Sequence, residues 1–179
     1  IIDASLRDGS LRSEAESMDI PVITYEAGEA LRFDPIAIAA GLQGVESVMR
    51  SLGMLRMLRK KRLSEPVIAR SSSWVRAESD GILRSQVALG ERVNKGQILA
   101  YISAPLGHGE WELKAPRSGI VIGQQTLPLA NEGDAVFHIA FFAESDLLVE
   151  QQVETYIGEV IDGDDELLRA GFFQEPSSS

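Results

Sequence analysis

Cysteine is absent from the 179 residues and histidine occurs only twice, at His108 and His138. Without cysteine there is no disulfide framework and no thiolate ligand or nucleophile, which fits a reducing, cytoplasmic compartment. Two histidines are too few for a conventional catalytic zinc, and no H-x-x-E, H-E-x-x-H or C-x-x-C pattern occurs. A G-x-S-x-G nucleophile elbow and a P-loop are also missing. No apolar run approaches 18 residues and no basic stretch leads into an apolar one, so neither a transmembrane helix nor a signal peptide is expected in this sequence. Positive charge is nearly lacking at the end: residues 144–179 hold 1 basic and 10 acidic side chains, and this segment carries nearly all of the net charge of −10. Such a tail disfavours nucleic acid and anionic membrane as partners, while the preceding body is close to neutral.

What is present is enough apolar residue, 44%, to bury a core in one ordinary domain or two small ones. The chain opens on Ile1, and it is read as part of something longer. Residues 9–19, "GSLRSEAESMD", predict a helix opened by Ser10. "PVITY" (21–25) then reads as a short buried strand. The segment "DPIAIAAGLQGVESVMRSLGM" predicts a second helix, with Asp34 as its N-cap, Pro35 at the first helical position and Gly53 closing it. Ile36, Ala39, Ala40, Val48, Met49 and Leu52 fall near one face of that helix. One strand cannot satisfy its own backbone, so "PVITY" requires a sheet supplied from elsewhere, most simply upstream.

Residues 54–66, "MLRMLRKKRLSEP", are read as a solvated linker helix, because no aromatic platform interleaves the basic side chains as a nucleic-acid site would require. From residue 67 to 143 the texture becomes short strands with glycine punctuation, and two stretches resemble each other. "DGILRSQVALGERVNKGQILAYI" (80–102) and "SGIVIGQQTLPLANEGDAVFHIA" (118–140) each run [DS]-G-I-[LV], a strand, a G-[ED] turn and a strand. Glycines 81, 90, 96, 119, 123 and 133 are expected at turns needing positive φ. Residues 144–179 read as short elements and an acidic end. "DGDDELLRAGFF" is not an EF-hand, since Leu167 and Phe173 stand where the loop needs glycine and glutamate.

Glu26 is the candidate for chemistry. A carboxylate at the C-terminal end of a strand, before a glycine-containing loop, stands where open α/β sheets place active-site groups. Partial burial there makes a carboxylate a usable proton acceptor near neutrality. Arg32 could pair with a substrate carboxylate, with Asp34 or with the sheet edge. His138, in the alternating "AVFHIA", reads as structural, and His108 as exposed in the loop "APLGHGEW".

The segments "PVITYEAGEALRFD", "GVESVMRSLGML", "SSSWVRAESDGILRSQVALGERVNKGQILAYI" and "APRSGIVIG" through "EGDAVFHIA" together resemble the C-terminal half of the succinylglutamate desuccinylase/aspartoacylase family, relatives of the zinc carboxypeptidases. The resemblance covers roughly residues 15–142. It implies an α/β remnant of a zinc carboxypeptidase-like domain (1–53), a linker (54–66), an all-β barrel-sandwich hybrid of the biotinyl/lipoyl kind (67–143) and an acidic extension (144–179). The implied function is zinc-dependent hydrolysis of the amide bond of a small N-acyl amino acid. Glu26, in "TYEAG", matches the glutamate that acts as general base and then acid. The zinc ligands of the family would lie upstream of residue 1, so this chain alone is expected to be inactive. The position of the carriers' modified lysine falls on His108, which has no amine, so a biotin or lipoyl carrier is not expected. Family members use the β module to restrict the active-site mouth or to form oligomer contacts, which makes loop 104–111 of interest and a homo-oligomer compatible with the resemblance. The competing reading is a non-catalytic barrel-sandwich binding module.

Overall fold

The computed structural model describes residues 1–3, 5–57, 68–107 and 109–142. The basic run of the linker, His108, the acidic extension and "DGDDELL" lie outside the described residues. By contact the chain divides into two compact units: the first residues, through Ser5, go with the strands, and the described residues from Leu6 to 57 form the other. Ile1–Asp3 were read with the helical segment, but their backbone bonds to Ala69. The Asp3 N–H donates to the Ala69 carbonyl at 3.0 Å and the Ala69 N–H to the Ile1 carbonyl at 2.8 Å, while Arg70 pairs with Asp3 at 3.1 Å.

The strand unit contains β1 (Ser71–Arg76), β2 (Gly81–Ser85), β3 (Arg92–Val93), β4 (Ile98–Ser103), β5 (Glu110–Lys114), β6 (Gly119–Gln124), β7 (Leu129–Ala130) and β8 (Ala135–Phe141). They form two four-stranded antiparallel sheets, in the orders β1-β8-β6-β3 and β5-β4-β2-β7. Replacing β1, β2, β3 and β4 by β5, β6, β7 and β8, and the reverse, converts one order into the other. The sequence repeat is therefore a structural repeat, and it extends to single hydrogen bonds. The Asn94 N–H donates to Gln97 Oε1 at 2.9 Å, and the matching Asn131 N–H to Asp134 Oδ2 at 2.8 Å. The Gly96 N–H reaches the Ala115 carbonyl and the Gly133 N–H the Ala77 carbonyl, both at 2.8 Å.

This symmetry explains the [DS]-G pair. Asp80 Oδ1 accepts the Glu132 N–H at 2.6 Å, and Ser118 Oγ accepts the Lys95 N–H at 2.9 Å. Each half thus lends a side-chain oxygen to an orphan amide in the turn of the other. The following glycine is needed for space. A Cβ on Gly81 would stand 2.6 Å from the Ser103 carbonyl oxygen, and one on Gly119 would overlap the Ala140 carbonyl oxygen. This corrects part of the reading of six positive-φ turns: Gly90, Gly96 and Gly133 take left-handed values (φ 86°, 81° and 88°) and Gly81, which opens β2, has φ 159°, whereas Gly119 and Gly123 lie in β6 without a positive φ.

One apolar cluster joins both sheets, with Val93, Val121, Phe137 and Ile139 from one and Leu99 and Ile102 from the other fully buried. Burying each such side chain contributes about 1.5–3 kcal/mol. Alternation along β8 puts Phe137 and Ile139 in the core and His138 on the other face.

The other unit holds α1 (Leu11–Ser17) and α2 (Pro35–Ser51). Ser10 caps α1, its Oγ accepting the Ser13 N–H at 3.2 Å. Asp34 caps α2 by accepting the Ile36 and Ala37 N–H groups at 2.9 and 3.1 Å, ahead of Pro35. The end of α2 is a Schellman motif: Gly53 has φ 73°, its N–H donates to the Arg50 carbonyl, and the Met54 N–H reaches back to the Met49 carbonyl. Of the predicted apolar face only Ala39 is buried, while Ile36, Val48 and Leu52 are exposed.

"PVITY" is not a strand, and it is exposed rather than buried, Ile23 to 85%. A strand exists only through its ladder, and among the described residues no strand ladder includes residues 21–25. No helix among the described residues is long and apolar enough to cross a membrane.

Candidate functional site

Glu26 lies in the irregular segment that leads into α2, and it is exposed. Among the described residues, no hydrogen bond or ion pair engages its carboxylate. Its neighbours are fastened instead. The Tyr25 hydroxyl donates to the Ala37 carbonyl at 2.8 Å, across twelve positions of chain. The Tyr25 ring lies against Gly41, where a Cβ would stand 3.1 Å from Cε1. On the other side of Glu26, Gly28 takes φ 78°, a left-handed conformation natural to glycine. A Cβ there would sit 3.6 Å from Asp34 Cβ and 3.7 Å from Ala37 Cβ, so the chain runs close over the capped first turn of α2.

Arg32 projects from the same loop, its side chain 74% exposed, and pairs with Glu29 at 3.4 Å. Of the partners expected for it, Asp34 is instead occupied as the helix cap. Leu31, just before it, has φ 65°, an uncommon value for a branched side chain, and both Leu31 and Phe33 are almost fully exposed. The structure thus puts Glu26 and Arg32 on one loop anchored to one helix end.

No group of three or more histidine, aspartate or glutamate side chains that could hold a metal ion occurs among the described residues. His138 is stacked on Trp74, ring centroids 4.5 Å apart and 12° from parallel, with Nε2 2.9 Å from Ser72 Oγ. That is a structural setting, as its alternation implied. The zinc implied by the family resemblance therefore does not fit the described residues of this chain, and no step is derived through it.

In the strand unit, the most developed polar arrangement is on β2, β4 and β5. Arg84 donates to Glu110 Oε2 at 2.6 Å and the Ser103 hydroxyl donates to the same oxygen at 2.9 Å. These two bonds, Ser103 first, hold the Glu110 carboxyl below the usual carboxylate range. Lys114 is bonded to Glu112 at 2.7 Å, which raises its ammonium above the usual lysine value. Both pairs are solvated surface groups, with no free carboxylate or amine poised for reaction.

Sequence reasoning missed the fastening of Tyr25 to α2. The available signal was the small residue Gly41, one turn after Ala37, which leaves room for a ring on that face of the helix.

No family model matches the sequence. Over 62 residues, 35% of this chain and 9% of that protein, it is 44% identical to the uncharacterized protein YqeB of Escherichia coli (strain K12). The apo structure of the ectoine utilization protein EutE (DoeB) from Ruegeria pomeroyi superposes with a TM-score of 0.65 at 26% identity, covering 75% of this chain and 43% of that one. A succinylglutamate desuccinylase from Silicibacter sp. TM1040 gives 0.64 at 22% identity, covering 78% and 44%. A succinylglutamate desuccinylase/aspartoacylase from Rhodobacter sphaeroides gives 0.54 at 20%, covering 63% and 38%. The chain spans less than half the length of each. The structural neighbours include several succinylglutamate desuccinylase/aspartoacylase proteins, which bears out the resemblance read from the sequence.

Proposed function

We propose that this chain is the C-terminal part of a zinc-dependent hydrolase that removes the acyl group from a small N-acyl amino acid. In it Glu26 takes the proton of the attacking water and returns it to the leaving amine. The observation that carries the reading is the extent of the structural match. Coverage of 75–78% is longer than residues 68–142, which supports a likeness that extends beyond the strand unit. A carboxylate with both oxygens unengaged, on a loop anchored from either side, supports the proton-transfer role. The exposed apolar side chains of Val22 and Ile23 and the open face of α2 support completion of this unit by a sheet from the same polypeptide. Zinc ligands outside residues 1–179 are part of the proposal, and Arg32 is proposed to meet a substrate carboxylate.

The strand unit is proposed to be a barrel-sandwich hybrid. The interchange of its two sheet orders supports this, because that architecture is built from two related halves. A second reading, a non-catalytic binding module, is favoured by one observation: the main buried cluster lies within the strand unit. Measurement of zinc content and of amide hydrolysis across a panel of N-acyl amino acids, on the full-length polypeptide, separates the two. Stoichiometric zinc with hydrolysis supports the enzyme; a zinc-free protein that leaves every substrate intact supports the module.

A further inference from the structure

We infer that Tyr25 and Gly41 act as a clamp that sets the position of Glu26, Tyr25 being a positioning residue. This rests on the proposed proton-transfer role of Glu26. Two contacts fasten Tyr25 to α2: the hydroxyl bond to the Ala37 carbonyl at 2.8 Å, and the Cδ1 and Cε1 atoms of the ring set against Gly41. Ala37 and Gly41 are four residues apart, so they share one face of the helix, and the ring runs along that face. In a regular helix the Ala37 carbonyl already accepts the Gly41 N–H, and the tyrosine uses its second lone pair. Gly28 then brings the chain back over the same turn, 3.7 Å from Ala37 Cβ as measured from its own Cβ position. Only Glu26 and Ala27 lie between these two attachments.

Such an arrangement separates position from bonding. A structural carboxylate is held by its own hydrogen bonds, which occupy the oxygens that a proton acceptor needs free. Here the neighbours are held and the carboxylate is left open. Tyr25 remains 58% exposed, so its ring adds little to a buried core, and its geometry serves the segment. A displacement of about 1 Å in a reacting group costs on the order of 100-fold in rate, so loosening one of two attachments is expected to lower turnover by about 3- to 30-fold.

The test uses the full-length polypeptide with Tyr25→Phe, Gly41→Ala, Gly44→Ala and Glu26→Gln. Tyr25→Phe removes the hydroxyl bond and keeps the ring, while Gly41→Ala makes the ring give way by a few tenths of an ångström. Gly44 faces open space, so Gly44→Ala is the helix control. The clamp predicts that the first two lower kcat by about 3- to 30-fold with KM within twofold, zinc content unchanged and no loss of Tm. It also predicts that the 13C carboxyl signal of Glu26 shifts or broadens in both, while Gly44→Ala changes neither kcat nor that signal. Wild-type kcat and an unmoved Glu26 signal in Tyr25→Phe and Gly41→Ala, with Glu26→Gln inactive, overturn the clamp and leave the catalytic assignment standing. Retained activity in Glu26→Gln overturns that assignment, and the clamp with it.

Discussion

Replacing Gly119 by alanine tests the packing of the strand unit at its tightest point. The added Cβ would overlap the Ala140 carbonyl oxygen, lie 2.7 Å from Ile139 Cγ2 and 3.1 Å from Phe141 Cδ1. Relief by side-chain rotation is not available, because the nearest atom is backbone. That backbone belongs to β8, whose ladder with β6 pairs Ile120 with Ala140 one residue away. Either β6 or β8 must move by several tenths of an ångström, at the expense of a ladder whose neighbours Val121, Ile139 and Phe137 are fully buried. Overpacking a well-filled core costs about 1–3 kcal/mol, and a backbone obstacle places this substitution near 3 kcal/mol. For a unit of this size that lowers Tm by about 12–24 °C. Gly81→Ala, its counterpart under the internal repeat, meets the Ser103 carbonyl at 2.6 Å and Ile102 Cγ2 at 2.9 Å and is expected to behave alike. Thermal and urea unfolding followed by near-ultraviolet dichroism measures both. A Gly119→Ala protein within 0.5 kcal/mol of wild type, with an unchanged m-value, refutes the argument.

Two further effects follow from the same unit. Asp80→Ala and Ser118→Ala each leave a turn amide of the other half without its acceptor, so each is expected to lower stability by about 1 kcal/mol in urea unfolding, and amide exchange at Glu132 or Lys95 respectively should accelerate. Because Glu110 is held below the usual carboxylate range, its contribution is present above the unfolded-state value and lost as pH falls through the lowered folded value. Ser103→Ala should therefore move the NMR titration of Glu110 upward towards the ordinary range, and an unmoved titration contradicts the assignment.

Much of this architecture is legible in local sequence because its causes are local. Ser10, Asp34-Pro35 and Gly53 mark helix ends through bonds made within a turn, and each does so in the structure. The [DS]-G-I repeat is visible because both halves solve the same problem with a side-chain oxygen at the same position, a carboxylate in Asp80 and a hydroxyl in Ser118. The role of Gly119 was misread: lack of room for a Cβ and need for positive φ leave the same letter in the sequence, and only the opposing carbonyl distinguishes them. "PVITY" was misread for a related reason. Its β-branched residues encode a preference for extended backbone, but a strand also needs a ladder, and none among the described residues includes 21–25. Glu26 was noticed from its neighbours in sequence, whereas the attachment of Tyr25 to Ala37 spans twelve positions and had no periodic signature.

The central claim is that Glu26 carries the proton in amide hydrolysis. It is tested most directly by single-turnover hydrolysis of an N-acyl amino acid by the full-length polypeptide with Glu26→Gln, alongside zinc analysis of the same sample. The account predicts a rate lower by about 100- to 10,000-fold with zinc content unchanged, since glutamine keeps the shape and cannot take the proton. A Glu26→Gln protein that turns over its substrate at the wild-type rate contradicts it.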